Sequence, residues 1–239
     1  MKKYTLTLVA AATLIASGIS MADVTVSAQG GYNLTTKLAN QKTYDPSKSD
    51  TAGSWQNHNT ANNHHNIVFG VNAGYATKVT DNIQVGGQIG YLNFGTQKQD
   101  LSNWGNGTYQ NEKGEYSVSS QIIPVLATIS YGFDNIDIFV KPGVAYAIQN
   151  AKMDDSFSKL APGEHFNVTQ HGIKPYVSAG VDYNLDNAVI GVSYEHMFGA
   201  KSTKEDTSYS GTAGPGVKTL YHGKILSQSA VMLSLGYKI

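Results

Sequence analysis

Apolar residues alternate with polar or small residues over unusually long stretches of this chain. The pattern holds from Ile136 to Gln149, and it recurs in the stretches that end at Leu185 and at Ile239. Alternation with a period of two places apolar side chains on one face of a β-strand and the others on the opposite face. Most strands in soluble proteins have five or six residues, whereas these have ten or more. The pattern therefore predicts eight long strands, each with one apolar face.

Three connections between these strands carry the same dipeptide, Asp-Asn. It begins at Asp81, Asp134 and Asp186, at intervals of 53 and 52 residues. Both side chains hydrogen-bond to nearby backbone and tolerate positive φ angles, as tight hairpin turns require. Each Asp-Asn pair therefore predicts a two-residue turn that closes a hairpin.

The other four connections are long and rich in Asn, Ser, Thr, Gly and Lys. They cover approximately residues 35–64, 95–114, 150–171 and 199–224. Compact soluble domains rarely contain one such loop, and outer-membrane barrels combine short periplasmic turns with long external loops. A sheet in lipid must also close, because an edge would leave backbone groups without hydrogen bonds. The sequence therefore predicts an all-β fold, an eight-stranded antiparallel transmembrane up-and-down β-barrel.

Two details of the strands are also predicted. Near residues 115–133, Val118, Ser120 and Ile122 are out of phase with the apolar residues from Ile123 onward, so we expect a β-bulge near Pro124. Outward aromatic residues should form a girdle at each end of the barrel. The inner girdle would contain Tyr131, Phe133 and Tyr183, and the outer girdle Tyr91, Phe94, Tyr116, Tyr146, Tyr194 and Phe198.

The first 22 residues are typical of a cleaved signal peptide. Two lysines follow Met1, an apolar core comes next, and the small residues Ser20 and Ala22 stand at the positions that a secretory peptidase requires. We therefore expect cleavage after Ala22 and a barrel formed by residues 23–239. No later segment reaches the roughly 18 consecutive apolar residues of a spanning helix.

Composition excludes several functions. The chain has 17 lysines, no arginine and a formal net charge of zero, which argues against a nucleic-acid partner. It has no cysteine, and six of its seven histidines lie in or beside the long loops. A metal site needs ligands held in place, and neither cysteines nor a helical histidine pair are present to provide them. We therefore predict no metal and no other cofactor.

Polar residues on the inward face should fill the lumen, since an eight-stranded barrel has an interior just wide enough for side chains. The predicted charge network contains Lys141, Lys174, Asp182, Glu195 and Lys238. Because an unpaired buried charge is costly, Lys141 or Lys174 should pair with Glu195. Such a network serves either as a structural filling or as the gate of a narrow conduit.

The signal peptide, the strand pattern and the asymmetry of the loops together resemble the small eight-stranded outer-membrane proteins of the OmpA transmembrane, OmpX and opacity-protein type. The resemblance covers essentially the whole mature chain. It implies a monomer in the cell outer membrane, with both termini in the periplasm and the long loops outside the cell. It also implies that the partners are membrane lipid, lipopolysaccharide and the barrel-insertion machinery.

Loops on a rigid frame are common binding sites, and aromatic residues often anchor interfaces. Trp55, Trp104, Tyr109 and Tyr209 are the candidates for contact with a host or extracellular ligand. We therefore expect a surface protein with a structural role and loop-mediated adhesion. The alternatives are a narrow channel for ions or small solutes and an enzyme that modifies lipid A.

Catalysis is not expected. A His-x-Ser pair would align a base and a nucleophile on one face of a strand, and none of the seven histidines has serine at that spacing. A soluble periplasmic barrel that holds a ligand is a further alternative, but its apolar residues would have to face inward.

Overall fold

The computed structural model describes residues 23–35, 41–45, 54–58, 63–64, 67–104, 112–153, 167–200 and 225–239. The predicted signal peptide and parts of the four predicted loops lie outside the described residues. Within these ranges no helix is long and apolar enough to cross a membrane. The strands are β1 (Asp23–Asn33), β2 (Gln41–Asp45), β3 (Ser54–His58), β4 (Asn63–His64), β5 (Ile67–Lys78), β6 (Ile83–Trp104), β7 (Glu112–Phe133), β8 (Ile136–Met153), β9 (Asn167–Leu185), β10 (Ala188–Met197) and β11 (Gln228–Lys238).

Eight strands close into an antiparallel barrel, which confirms the predicted fold. The barrel contains β1 and β5 to β11, and each strand pairs with its neighbours along the chain. Closure joins β1 to β11, in a register that runs from Thr25 opposite Lys238 to Asn33 opposite Ala230. The short strands β2 and β3 form a separate hairpin, and β4 pairs with β6 at Lys98 and Gln99.

The barrel is apolar on the outside. On β11, for example, Val231, Leu233 and Leu235 are 42%, 60% and 64% exposed, whereas Met232 between them is 1% exposed. The predicted outward orientation of the apolar face is therefore correct. A water-soluble barrel would bury these side chains, because a large exposed apolar surface favours association or membrane contact.

Two of the three Asp-Asn pairs form the predicted two-residue turn. The strands pair directly up to the turn, and Asp134 and Asp186 both adopt φ of 51°. The prediction is wrong for Asp81, which lies in a four-residue connection between Lys78 and Ile83. There the Thr80 hydroxyl accepts a hydrogen bond from the Ile83 backbone N–H at 3.0 Å, a side-chain contact that replaces tighter strand pairing.

The Asn residues of these turns connect neighbouring hairpins. The Asn82 carbonyl accepts from the Gly132 N–H at 2.7 Å, the Asn135 carbonyl from Asn184 at 2.8 Å, and the Asn187 carbonyl from Lys238 at 2.7 Å. Each turn therefore hydrogen-bonds to the end of a strand outside its own hairpin.

The expected bulge near Pro124 is wrong. Strand β7 keeps one register with β8 across Pro124, which lies opposite Ala145. The register shift occurs instead between β6 and β7, beside Gly95 with its φ of 69°. Val118 and Ile122 are completely buried and face the interior of the barrel, so their phase marks an inward face.

The aromatic residues divide between the two ends largely as expected. Tyr131, Phe133 and Tyr183 are exposed on the outside near the turns, and Tyr146, Tyr194 and Phe198 are exposed near the other end. Phe94 is an error in this assignment: it is completely buried and lies inside the barrel, next to the Gly95 shift. Tyr116 is placed in β7, and its side chain lies outside the described part of the molecule.

Candidate functional site

The interior of the barrel contains a polar cavity near the end that carries the Asp-Asn turns. Its volume is about 100 Å³, which leaves room for several water molecules. Among the charged side chains, its lining contains Asp137, Lys141, Asp182, Glu195 and Lys238. Strands β8, β9, β10 and β11 supply these side chains, and the two-residue period turns all of them inward.

Glu195 is the most completely enclosed of these charges, at 4% exposure. Its carboxylate accepts three O–H hydrogen bonds: from Tyr176 at 2.8 Å, from Ser178 at 3.0 Å and from Ser193 at 3.0 Å. A buried carboxylate is stable only when its oxygens have donors of this kind. The three hydroxyls therefore fix both the position and the rotamer of Glu195.

Lys141 lies in the same cavity and has different direct contacts. Its ammonium group donates to the Gln88 Oε1 at 2.9 Å and lies 4.0 Å from the centre of the Phe139 ring. It also interacts electrostatically with Asp182 and Glu195. Lys141 is thus the central positive charge of the cavity, held by an amide, an aromatic face and two nearby carboxylates.

The remaining charges form a second group closer to the turns. Asp137 and Asp182 are cross-strand neighbours on β8 and β9. Asn184 donates to Asp137 at 2.8 Å, and Lys141 and Lys238 both attract Asp182. Two lysines therefore offset the repulsion between adjacent carboxylates.

The structure brings together four of the five residues predicted for the lumen network. Lys141, Asp182, Glu195 and Lys238 line one cavity. Lys174 is on the inward face of β9, opposite Ala145 and on the loop side of Tyr176, and it is not part of the cavity lining. The sequence analysis did not assign Ser178 and Ser193 to the network, although their spacing from Asp182 and Glu195 placed them on the same inward face.

An apolar layer separates this cavity from the loop end of the barrel; we call it the septum. Its side chains come from strands β5 to β11 and from Ile225, which precedes β11. Strand β1 contributes no side chain to the septum, and Gly31 lies at that level. A side chain at Gly31 would collide with Met232, which packs against that backbone. The septum consists of Val68, Leu92, Phe94, Ile122, Leu126, Ala145, Ala147, Tyr176, Met197, Ile225, Ala230 and Met232.

A set of buried amides lies on the loop side of the septum. Gln228 Oε1 accepts from Asn33 at 3.3 Å and from Gln97 at 3.4 Å. Gln149 binds the backbone of Leu226 twice, donating to its carbonyl at 3.0 Å and accepting from its N–H at 2.7 Å. These contacts hold the segment just before β11 in the mouth of the barrel, on the loop side of the septum.

Two of the four predicted loop residues lie in the described part of the chain. Trp55 lies in β3 opposite Tyr44, and Trp104 is the last residue of β6, opposite Glu112. Tyr109 and Tyr209 lie outside the described residues. Across the described ranges, no group of three or more His, Cys, Asp or Glu residues is arranged to hold a metal ion.

No protein-family model matches the sequence, and no curated protein matches it. Among solved structures, the chain is similar to Ail, the attachment invasion locus protein of Yersinia pestis, solved in complex with the heparin analogue sucrose octasulfate. The identity is 13%, with 91% of this chain and 97% of Ail covered and a TM-score of 0.39.

Two structures from Neisseria are also similar. For the Neisserial surface protein A the identity is 9%, the coverage is 91% of this chain and 99% of that chain, and the TM-score is 0.42. For the translocator domain of the autotransporter NalP from Neisseria meningitidis the identity is 12%, the coverage is 98% of this chain and 94% of that chain, and the TM-score is 0.32. Identities and TM-scores this low do not indicate what the chain does.

Proposed function

We propose that the chain is an outer-membrane surface protein, a monomeric barrel that anchors long loops at the cell surface. Its roles are structural support of the envelope and loop-mediated contact with host or extracellular molecules. The observation that carries this proposal is the apolar exterior of a closed barrel whose interior is crossed by the septum. Such a barrel is suited to be a membrane anchor and not a conduit.

The lengths of the strands support the membrane placement. A transmembrane strand needs about 9–11 residues, and β1, β10 and β11 have 11, 10 and 11. Strands β6 and β7 have 22 residues each and continue pairing as far as Trp104 opposite Glu112. At about 3.3 Å per residue, the 11–13 residues beyond a membrane-spanning length amount to roughly 35–45 Å of further strand, along most of which β7 also pairs with β8.

The chemistry of the two ends supports the orientation. Short turns occupy one end and long connections the other, as in bacterial outer-membrane barrels with periplasmic turns. We infer that the predicted signal peptide directs export, that the insertion machinery places the barrel, and that both termini face the periplasm. Lipid and lipopolysaccharide then surround the apolar belt and the lower parts of the loops.

Protease treatment of intact cells tests the orientation. The predicted loops contain Lys48, Lys159 and Lys204, and Lys78 lies at the opposite end beside the first turn. We expect trypsin to cleave at the three loop lysines in whole cells, and at Lys78 only after the outer membrane is opened. Cleavage at the loop lysines that also requires opening of the membrane would contradict surface exposure.

A binding assay tests the role of the loops. Cells that carry alanine at Trp55, Trp104, Tyr109 and Tyr209 should adhere less to host cells than cells that carry the unaltered protein, because aromatic side chains dominate binding at interfaces. Equal adherence, with equal amounts of protein at the surface, would rule out adhesion through these four side chains.

The septum argues against the alternative of a narrow channel. A hydrated ion would have to cross a layer of completely buried side chains that includes Leu92, Phe94 and Ile122. We expect no conductance in a planar bilayer for the natural protein or for Lys141→Ala, which enlarges only the cavity below the septum. The double variant Leu92→Ala, Phe94→Ala should conduct. Stable conductance of the natural protein would favour the channel.

A further inference from the structure

The outer wall of the barrel carries a polar cluster that the proposed function does not use. It consists of Tyr194 and His196 on β10 and Ser229 on β11. His196 and Ser229 are direct cross-strand neighbours, and the Ser229 Oγ lies 2.8 Å from the His196 Nδ1. The Tyr194 hydroxyl lies 3.2 Å from the same Ser229 oxygen. Closer to the turns, outward residues of β10 and β11 such as Val192, Val231 and Leu233 are apolar, so the cluster marks a local change in the chemistry of the wall.

Two aromatic residues hold the imidazole ring. Phe198 meets it edge to face, with ring centres 4.4 Å apart and planes at 84°, and Tyr194 lies nearly parallel to it at 6.2 Å. Tyr194 and His196 are spaced by two on β10, and Phe198, the residue after that strand, continues the spacing and is exposed, so all three lie on the outward face. The ring is therefore fixed in orientation, and His196 is partly exposed on the outer wall of the barrel.

One arrangement of protons connects the three side chains of the cluster. Tyr194 donates its hydroxyl proton to the Ser229 Oγ and lies 3.4 Å from the His196 Nδ1, and the Ser229 hydroxyl is free to donate to that nitrogen. This requires the tautomer of His196 that carries its proton on Nε2. A serine hydroxyl that donates to a neutral imidazole within 3 Å is the arrangement of a nucleophile with its general base.

The position of the cluster along the barrel selects the substrate. Tyr146, Tyr194 and Phe198 are exposed on the outside at the loop end, and Tyr32 lies opposite Val231, two residues from Ser229. Outward aromatic residues of this kind lie at the level of the lipid headgroups. Toward the turns, the outward neighbours of Ser229 are apolar, namely Val231 and Leu233. Ser229 is thus placed where an acyl chain joins its headgroup.

We propose that Ser229 and His196 hydrolyse an ester-linked acyl chain of a membrane lipid. The Ser229 Oγ attacks the ester carbonyl carbon while its proton passes to the His196 Nδ1. The C–O bond to the lipid alkoxide then breaks, and the alkoxide takes the proton from His196. Water attacks the acyl-serine with the same base and releases a free fatty acid. This inference rests on the membrane placement proposed above and is independent of adhesion.

Labelling with a fluorophosphonate probe tests the nucleophile directly. We expect the folded protein in detergent to be labelled at Ser229, as mapped by peptide mass spectrometry, and Ser229→Ala to lose that label. His196→Ala should slow labelling by a factor of about 10² to 10⁴, the usual contribution of a general base. His171→Ala is the matched control, because His171 also faces outward, beside Tyr146. Heat-dependent mobility on gels establishes that each variant is folded.

A lipid assay identifies the source of the ester. The protein is inserted into vesicles of diacyl phosphatidylethanolamine or of lipid A, and released fatty acid is measured by mass spectrometry. Release that depends on Ser229 and His196 from either vesicle supports the proposal and names the substrate class. The proposal is overturned if the folded protein releases no fatty acid from either kind of vesicle. It is also overturned if the probe labels His196→Ala as fast as the natural protein. Cleavage at the loop lysines in intact cells tests the surface placement separately.

Discussion

Removal of the Glu195 carboxylate should destabilise the barrel strongly. Glu195→Ala deletes the acceptor of three hydroxyl groups, on Tyr176, Ser178 and Ser193, that lie within 3.0 Å of it. It also removes a negative charge that acts on Lys141. A hydrogen bond to a buried charged group contributes about 1.5–3 kcal/mol, and each buried hydroxyl left without its acceptor costs about 1–3 kcal/mol. Because these terms overlap, we expect the free energy of unfolding to fall by about 3–5 kcal/mol.

Urea unfolding of the barrel in lipid vesicles measures this change. The folded fraction is read from the gel mobility of unheated samples, and the unfolding free energy is extrapolated linearly to zero urea. With an m-value of about 2 kcal/mol per M, the loss corresponds to a midpoint lowered by about 2 M. An unchanged m-value would indicate that only stability has changed.

Two control variants separate charge from packing. Glu195→Gln keeps the volume of the side chain but loses its charge, so we expect a smaller loss of about 1–2 kcal/mol. Ser234→Ala alters a polar residue that lines the same cavity, and we expect a change below about 0.5 kcal/mol. If Glu195→Ala and Ser234→Ala have the same midpoint, the three hydroxyl contacts and the nearby lysine do not stabilise the barrel.

Two further predictions concern the backbone. At Gly180 a side chain would collide with the Val192 carbonyl oxygen and the Phe139 ring, so Gly180→Ala should lower the unfolding free energy by about 1–3 kcal/mol, whereas Gly30→Ala, with open space around it, should not. An equal midpoint for the two variants would contradict this. Asp134 has a φ of 51°, so Asp134→Ala should cost about 1 kcal/mol and Asp134→Gly should cost less. A lower urea midpoint for Asp134→Gly than for Asp134→Ala would show that the positive φ at this position does not determine the cost of the substitution.

Much of the fold was determined by the local pattern of the sequence. Alternation with a period of two is a property of neighbouring residues, so it indicated both the strands and their outward faces. The Asp134 and Asp186 turns were predictable for the same reason, because turn geometry depends on a few adjacent side chains. The pattern failed at Val118 and Ile122, since an apolar residue on a strand faces either lipid or an apolar layer inside the barrel.

The contacts of the sites were decided by tertiary structure. Glu195 meets Tyr176 and Ser178 only because β9 and β10 pair in one register, and a slip of one residue would turn either set to the opposite face. The spacing His-x-Ser, which would place both side chains on one face of a single strand, does not occur in the sequence. His196 and Ser229 instead come from different strands, 33 residues apart, and the pairing of β10 with β11 brings them together. The alternating pattern indicates the face of most side chains, whereas the closed register decides which residues become neighbours.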